Sequence, residues 1–220
     1  MSLLVVVLAL WLVVGCASPE QKEKGAGPTA GEFVGEIPEA DAFLALVAEG
    51  PQEGGDTRGI RAYLCDGKTF DVNEWFQGSA SGDELGLFSE KGAQLEGRLS
   101  PQCATGAVTL PDGARLDFEA HPATGITGYY PVSVTSDGRV SGTTWGGAQV
   151  EGSISGGGEI SGTITSADGG EPSIFEEVVP SAPLTEGEHR WIVLAEDEGF
   201  RIKGKKQGPE AEFIDREDDL

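Results

Sequence analysis

The stretch that decides the fold is GAQLEGRLS, Gly92–Ser100, because it returns 55 residues later as GAQVEGSIS, Gly147–Ser155. In each copy an apolar residue alternates with a polar one or a glycine, the period of a strand with one buried face. Leu95, Gly97 and Leu99 share one side in the first copy, and Val150, Gly152 and Ile154 share one in the second. The likeness continues downstream. TGAVTLPDG at Thr105–Gly113 matches SGTITSADG at Ser161–Gly169, and Phe118 and Phe175 follow at similar places. A duplicated hairpin unit predicts one closed or sandwiched sheet. Glycines inside strands predict sharp coiling or bulges.

Turn signals recur on either side of the repeat. Ile60–Cys65 runs into Asp66-Gly67, Leu85–Phe88 into Glu90-Lys91-Gly92, and Val108–Leu110 into Pro111-Asp112-Gly113. Val132–Val134 leads to Asp137-Gly138, and Ile160–Ile164 to Asp168-Gly169-Gly170. Asp-Gly between alternating runs predicts hairpin turns with both central residues at positive φ. The expected fold class is therefore all-β, an antiparallel meander with internal hairpin duplication that closes as a small barrel or sandwich. With 34 glycines the composition agrees with a turn-rich chain.

Charge narrows the partners. Asp and Glu total 37 against 15 Lys and Arg, for a formal net charge of -22. Such a chain repels nucleic acid at long range, so no nucleic-acid partner is expected. The acidity reads first as solubility; divalent-cation binding would need converging oxygen ligands.

The amino terminus reads as an export signal. Leu3–Val14 is uninterrupted apolar sequence, about 18 Å as a helix, whereas a membrane span needs roughly 20 residues. The length suits a secretory signal. Val13-Val14-Gly15-Cys16 resembles the bacterial lipobox, in which the cysteine receives lipid and becomes the first residue of the mature chain. Signals of this kind usually open on Lys or Arg, whereas this one opens on Met1-Ser2. An ordinary signal peptide with an incidental cysteine is the alternative. The expected organisation is a signal over residues 1–15, a lipidated Cys16 with a flexible linker over 16–32, a single β domain over 33–203, and an acidic disordered tail over 204–220. The expected location is the cell membrane or outer membrane, facing the extracytoplasmic side, with the bilayer as partner through Cys16.

Cys65 and Cys103 remain. In an exported chain they predict one disulfide, closing a loop of about 40 residues worth about 3–4 kcal/mol. A metal pair is the alternative, but His121 and His189 stand at no ligand-like spacing from either cysteine.

DAFLALVAEG, IRAYLCDGK, EWFQGSASGDELGL and GAQLEGRLS together resemble a bacterial exported domain family of unknown function. Its members pair an aYxCDG segment with W-x-x-G and a G-x-x-L-x-G strand, here Ala62–Gly67, Trp75–Gly78 and the strand around Ala93–Gly97. Gly128-Tyr129-Tyr130 and the RWIVL strand Arg190–Leu194 are similar too. The resemblance spans about Phe33 to Lys206. It departs where Ser153–Val179 is richer in glycine and where Glu196–Glu198 interrupts the final strands. It implies β structure and export, and no chemistry. Ala40–Glu49 is compatible with a helix through Phe43, Leu44, Leu46 and Val47, or with a strand pairing Ile60–Cys65; the resemblance favours the strand.

No catalytic constellation stands out. Ser153 in GSISG lacks the G-x-S-x-G elbow and has Arg98 as its repeat counterpart, so it reads as strand surface. Gly156-Gly157-Gly158 lacks the lysine of a phosphate loop. Asp66–Asp71 lacks the ligand ladder of a calcium loop. Among the carboxylates Glu74, beside Trp75, is the most suggestive for glycoside chemistry, although Trp75 also suits a core. No catalytic residue, metal or cofactor is predicted. The sequence therefore predicts a lipid-anchored envelope protein with a binding or structural role. One alternative is a carbohydrate- or peptidoglycan-binding module using Trp75, Tyr129, Tyr130 and Trp145. The other is an envelope hydrolase using a carboxylate pair.

Overall fold

The computed structural model describes residues 30–50, 57–66, 72–178, 184–196, 199–206 and 213–217. The apolar run Leu3–Val14, Cys16 with its stalk, and the turn residues Gly67–Asp71 lie outside them. The described chain is all-β and antiparallel. Strands β1 (Gly31–Ile37), β2 (Ala42–Ala48), β3 (Thr57–Cys65), β4 (Asn73–Ser81), β5 (Glu84–Ser89), β6 (Gln94–Leu99), β7 (Ala104–Thr109) and β8 (Arg115–Pro122) follow one another around a closed barrel. The seam is made by β1 and β8, with Phe33 opposite Pro122 and Val34 opposite His121. Within Ala40–Glu49, Ala42–Ala48 is a strand that pairs with β3: Leu44 and Leu46 point into the barrel while Phe43 and Ala45 point out of it. The first strand begins at Gly31, so Glu32, placed in the linker by sequence, belongs to the barrel wall.

A second sheet follows, built from β9 (Gly128–Val134), β10 (Arg139–Thr143), β11 (Gln149–Ile154), β12 (Ile160–Thr165), β13 (Ser173–Val178), β14 (Gly187–Glu196), β15 (Gly199–Lys206) and β16 (Phe213–Glu217). Its order is β13-β12-β11-β10-β9-β14-β15-β16, so the chain runs outward from β9 and then returns to pair on the other side of β9. Within the expected tail 204–220, residues 204–206 and 213–217 are strand. β15 continues to Lys206, and Phe213–Glu217 pairs with it in a register that sets Glu217 opposite Arg201 and Asp215 opposite Lys203.

The duplication is visible in hydrogen bonds. At the β5–β6 turn the N–H of Ser89 donates to Ala93 O (2.9 Å), that of Gly92 to Ser89 O (3.1 Å), and that of Ala93 to Ser89 Oγ (2.9 Å). At the β10–β11 turn Thr144 donates to Ala148 O (2.9 Å), Gly147 to Thr144 O (3.1 Å), and Ala148 to Thr144 Oγ1 (3.0 Å). Gly92 and Gly147 have φ of 94° and 93°. This is a type I turn followed by a left-handed glycine. Asp112-Gly113 and Asp137-Gly138 build the same turn, so only the glycine takes positive φ and the aspartate does not, contrary to expectation. The β11–β12 turn carries one residue more than the β6–β7 turn, and the offset between the copies accordingly grows from 55 to 56.

The strand glycines also have a shared purpose. Gly97 pairs with Gly106, and Gly152 with Gly162. Across the next strand Gly106 faces Phe118 and Gly162 faces Phe175. A Cβ on Gly162 would lie 2.3 Å from Glu151 O and 2.8 Å from Phe175 Cζ, so the missing side chain admits both the neighbouring backbone and the ring.

The barrel bore is solid. Phe33, Ile37, Leu44, Leu64, Phe76, Leu87 and their neighbours fill it, as expected for eight short strands. The second sheet has its own core on one face, around Tyr130, Val132, Phe175 and Trp191. Its other face docks on the outside of β1–β3, where Val34, Phe43, Ala45, Tyr63 and Cys65 meet Ile192. Ion pairs hem this contact. Arg201 forks onto Glu36 (2.9 and 2.6 Å) and also reaches Glu196 (2.5 Å). Lys203, fully buried, donates to Asp41 Oδ1 (2.6 Å) and Asp66 O (3.3 Å).

The expected Cys65–Cys103 disulfide is not formed. Cys65 is a buried thiol on the outward side of β3, beside Tyr63 in the contact between barrel and sheet. Cys103 sits in the β6–β7 turn, where its Sγ lies 3.7 Å from Ser100 Oγ. The strand alternation that sends Leu64 into the bore sends Cys65 into the sheet contact, and the docking surface claims its side chain.

Candidate functional site

With the bore filled, concave space lies where the two sheets meet. Alternation on β3 sends Arg61 and Tyr63 outward, and the register places Trp75 of β4 directly opposite Tyr63. On the second sheet, Tyr129 and Pro131 of β9 and Arg190 of β14 face the barrel, while Tyr130 and Trp191 face the other way. The result is a cleft of about 430 Å³ lined by Val47, Arg61, Trp75, Tyr129, Trp145 and Arg190, among others.

Its floor is an aromatic cluster. Tyr63, Trp75 and Tyr129 have ring centroids 6.0, 6.0 and 6.1 Å apart, in tilted and edge-on arrangements. The Arg190 guanidinium lies 4.4 Å from the centre of the Trp75 ring and 5.8 Å from that of Tyr63. Burial pushes the phenol of Tyr129 above its ordinary range, and that of Tyr63 further still, so both remain neutral hydroxyls. Trp145 stands at the rim, on the duplicated β10–β11 turn, and is 57% exposed. Its counterpart in the first copy is Glu90, so the repeat supplies the turn and the substitution supplies the ring.

Of the four aromatics singled out from sequence, Trp75, Tyr129 and Trp145 thus line one cleft. Tyr130 does not. It is fully buried in the core of the second sheet, with its hydroxyl donating to Ile126 O at 2.6 Å. It is one residue from Tyr129, and the strand period places the two on opposite faces. Sequence reading missed Tyr63, Arg61 and Arg190. Tyr63 and Arg61 are separated by two on a strand already recognised, and pairing with Trp75 was the signal that could have found them. Nothing local marked Arg190.

A second hollow of about 330 Å³ shares Trp145 and is lined by Glu32, Pro122, Thr124 and Gly146. Glu32 is buried, and its Oε1 accepts the backbone N–H of Tyr129. Burial pushes its carboxyl up to about 7, although the backbone N–H groups of Tyr129, Trp145 and Gly146 favour the charged form. Glu32 therefore ties β1 to the start of β9 and to the turn that carries Trp145. The shift arises from burial, and no second carboxylate contributes to it. Glu74 sits elsewhere and pairs with Lys91 at 3.4 Å. Ser153 is exposed on β11, as a strand-surface residue. Among the described residues no group of three or more His, Cys, Asp or Glu could hold a metal ion. Among them also, no helix is long and apolar enough to cross a membrane.

No protein-family model, curated protein or solved structure matches the chain. The functional reading rests on the cleft itself.

Proposed function

We propose that the chain is a carbohydrate-binding module of the bacterial cell envelope, held at a membrane by lipid on Cys16, with the cleft between barrel and sheet as its binding site. The observation that carries this reading is the convergence of Trp75, Tyr129 and Trp145 on one concave surface beside two arginines. Aromatic faces pack against the C–H faces of sugar rings, and the convergent polar groups fix orientation. The cleft is large enough for about one or two sugar residues by ordinary pocket dimensions. The exposure of Trp145 supports the reading, since a large ring kept in water at a rim is available to a ligand. The lipobox resemblance at Cys16 supports the envelope location.

The test is a glycan array probed with the full chain purified from membranes in mild detergent. The unmodified chain is expected to bind a defined set of glycans and Trp145→Ala to lose that binding with its thermal melt unchanged. A chain that binds no glycan, or a Trp145→Ala variant that binds as well as the unmodified chain, overturns the reading. Intact-mass analysis of the same preparation tests the anchor, which requires acyl mass on a chain that begins at Cys16.

A further inference from the structure

We propose that the sugar taken by this cleft is acidic, and that Arg190 receives its carboxylate while the sugar ring rests against the aromatic side chains. The inference builds on the carbohydrate reading above and adds the charge of the ligand.

The chain is strongly acidic, and its arginines find carboxylates readily. Arg98 pairs with Asp83, Arg115 with Asp117, Arg139 with Asp137, and Arg201 with Glu36. Arg190 is unlike these, as is the buried Arg58 of β3. Arg190 is half-buried and has no carboxylate within ion-pair distance among the described residues. Its guanidinium is held instead by rings, over Trp75 and beside Tyr63, with a contact to the Tyr129 side chain. Stacking occupies the face of a guanidinium and leaves its in-plane N–H donors directed outward, in the fork that matches a carboxylate. The Arg190 side chain lines the cleft, with one of its donors shared with Tyr129. Arg61 adds a second cation on the same wall. It is 48% exposed and shares itself with Glu49 at 3.2 Å, a surface pair that a ligand carboxylate can compete with. A neutral sugar would leave Arg190 partly desolvated and without a counter-charge, whereas a uronic acid or a carboxylated amino sugar supplies one. The rings and the guanidinium then recognise the two halves of one ligand, an apolar sugar face and an anionic edge.

The experiment measures Kd by tryptophan fluorescence and calorimetry, using the full chain in detergent. The probes are a panel of uronic-acid and carboxylated amino-sugar oligosaccharides, each paired with its methyl ester. The ester keeps the ring and removes the charge. The acid is expected to bind at least about tenfold more tightly than its ester, and Arg190→Gln to bring the acid-to-ester ratio close to one. Arg190→Lys should retain part of the preference, because the charge survives and the fork does not. Equal binding of acid and ester by the unmodified chain overturns the acidic-ligand inference and leaves the carbohydrate reading standing. An acid-to-ester ratio in Arg190→Gln equal to that of the unmodified chain overturns it too. Failure of every acid and every ester to bind overturns both. If Arg190→Gln does not fold, the acid-to-ester ratio of the unmodified chain decides alone.

Discussion

Replacing Glu32 with Gln should change how stability depends on pH in a window that few other groups touch. The Glu32 carboxyl is buried and titrates near 7 in the folded chain, against an ordinary value of 4.5. Between those two values the folded chain holds a proton that the unfolded chain has released. Stability from this group is therefore fully present below about pH 4.5 and is lost as pH rises through 7. With these two end points the loss between pH 5 and pH 8 comes to about 2.5 kcal/mol. Glu36 moves the other way, because its bond to Arg201 holds its carboxyl below the ordinary range, and nearly all of its change falls below pH 5. Urea unfolding followed by tryptophan fluorescence at pH 5, 6, 7 and 8 gives the stability of both chains. The unmodified protein minus Glu32→Gln isolates the group, since any other titration is common to both. The expected difference falls by about 2.5 kcal/mol across the series. If the two chains share the same pH dependence to within about 0.5 kcal/mol, Glu32 does not carry the buried proton and the reasoning fails.

Arg201→Ala should lower stability by about 1 kcal/mol in urea melts, because it removes a forked pair with Glu36, whose one-third exposure lets water screen the interaction. Gly162→Ala should cost about 1–3 kcal/mol, since the new Cβ meets backbone at 2.3 and 2.7 Å, while Gly156→Ala, with nothing within 4 Å, should shift the midpoint by less than about 0.5 kcal/mol. Equal effects at the two glycines would refute the close-approach account. The Cys65 thiol should resist iodoacetamide in the folded chain and react only on unfolding, as read by peptide mass spectrometry; labelling under native conditions would contradict its burial in the sheet contact.

The repeat at Gly92 and Gly147 made the hairpins legible because period-two patterning and a glycine after a tight turn are local signals. It even located the phenylalanines that pack over the strand glycines. It could not show that the first copy lies in a closed barrel and the second in an open sheet, because closure depends on whether β8 finds β1, a pairing of residues nearly ninety apart in sequence. The disulfide expectation failed on the same kind of non-local fact. Two cysteines in an exported chain predict a bridge, but the alternation of β3 turns Cys65 into the contact with β14, beside Ile192 and the Tyr63 hydroxyl. Aromatic content pointed to Trp75, Tyr129 and Trp145, and only the register told Tyr129 from Tyr130. Glu32 was invisible as a functional residue, since its burial is created by the turn bearing Trp145, more than a hundred positions away.

The strand order has a consequence for how the molecule is made. The barrel is complete once Pro122 has been synthesised, yet the cover for the outer faces of β2 and β3 is supplied by Ile192, Arg201 and Lys203, close to the other end of the chain. While β9 to β13 are being added, Phe43 and Cys65 lack the cover that Ile192 gives them. A chain interrupted before β14 would therefore carry a finished barrel with an oily flank, an available target for quality-control proteases and chaperones, and the arrival of β14 and β15 hides it.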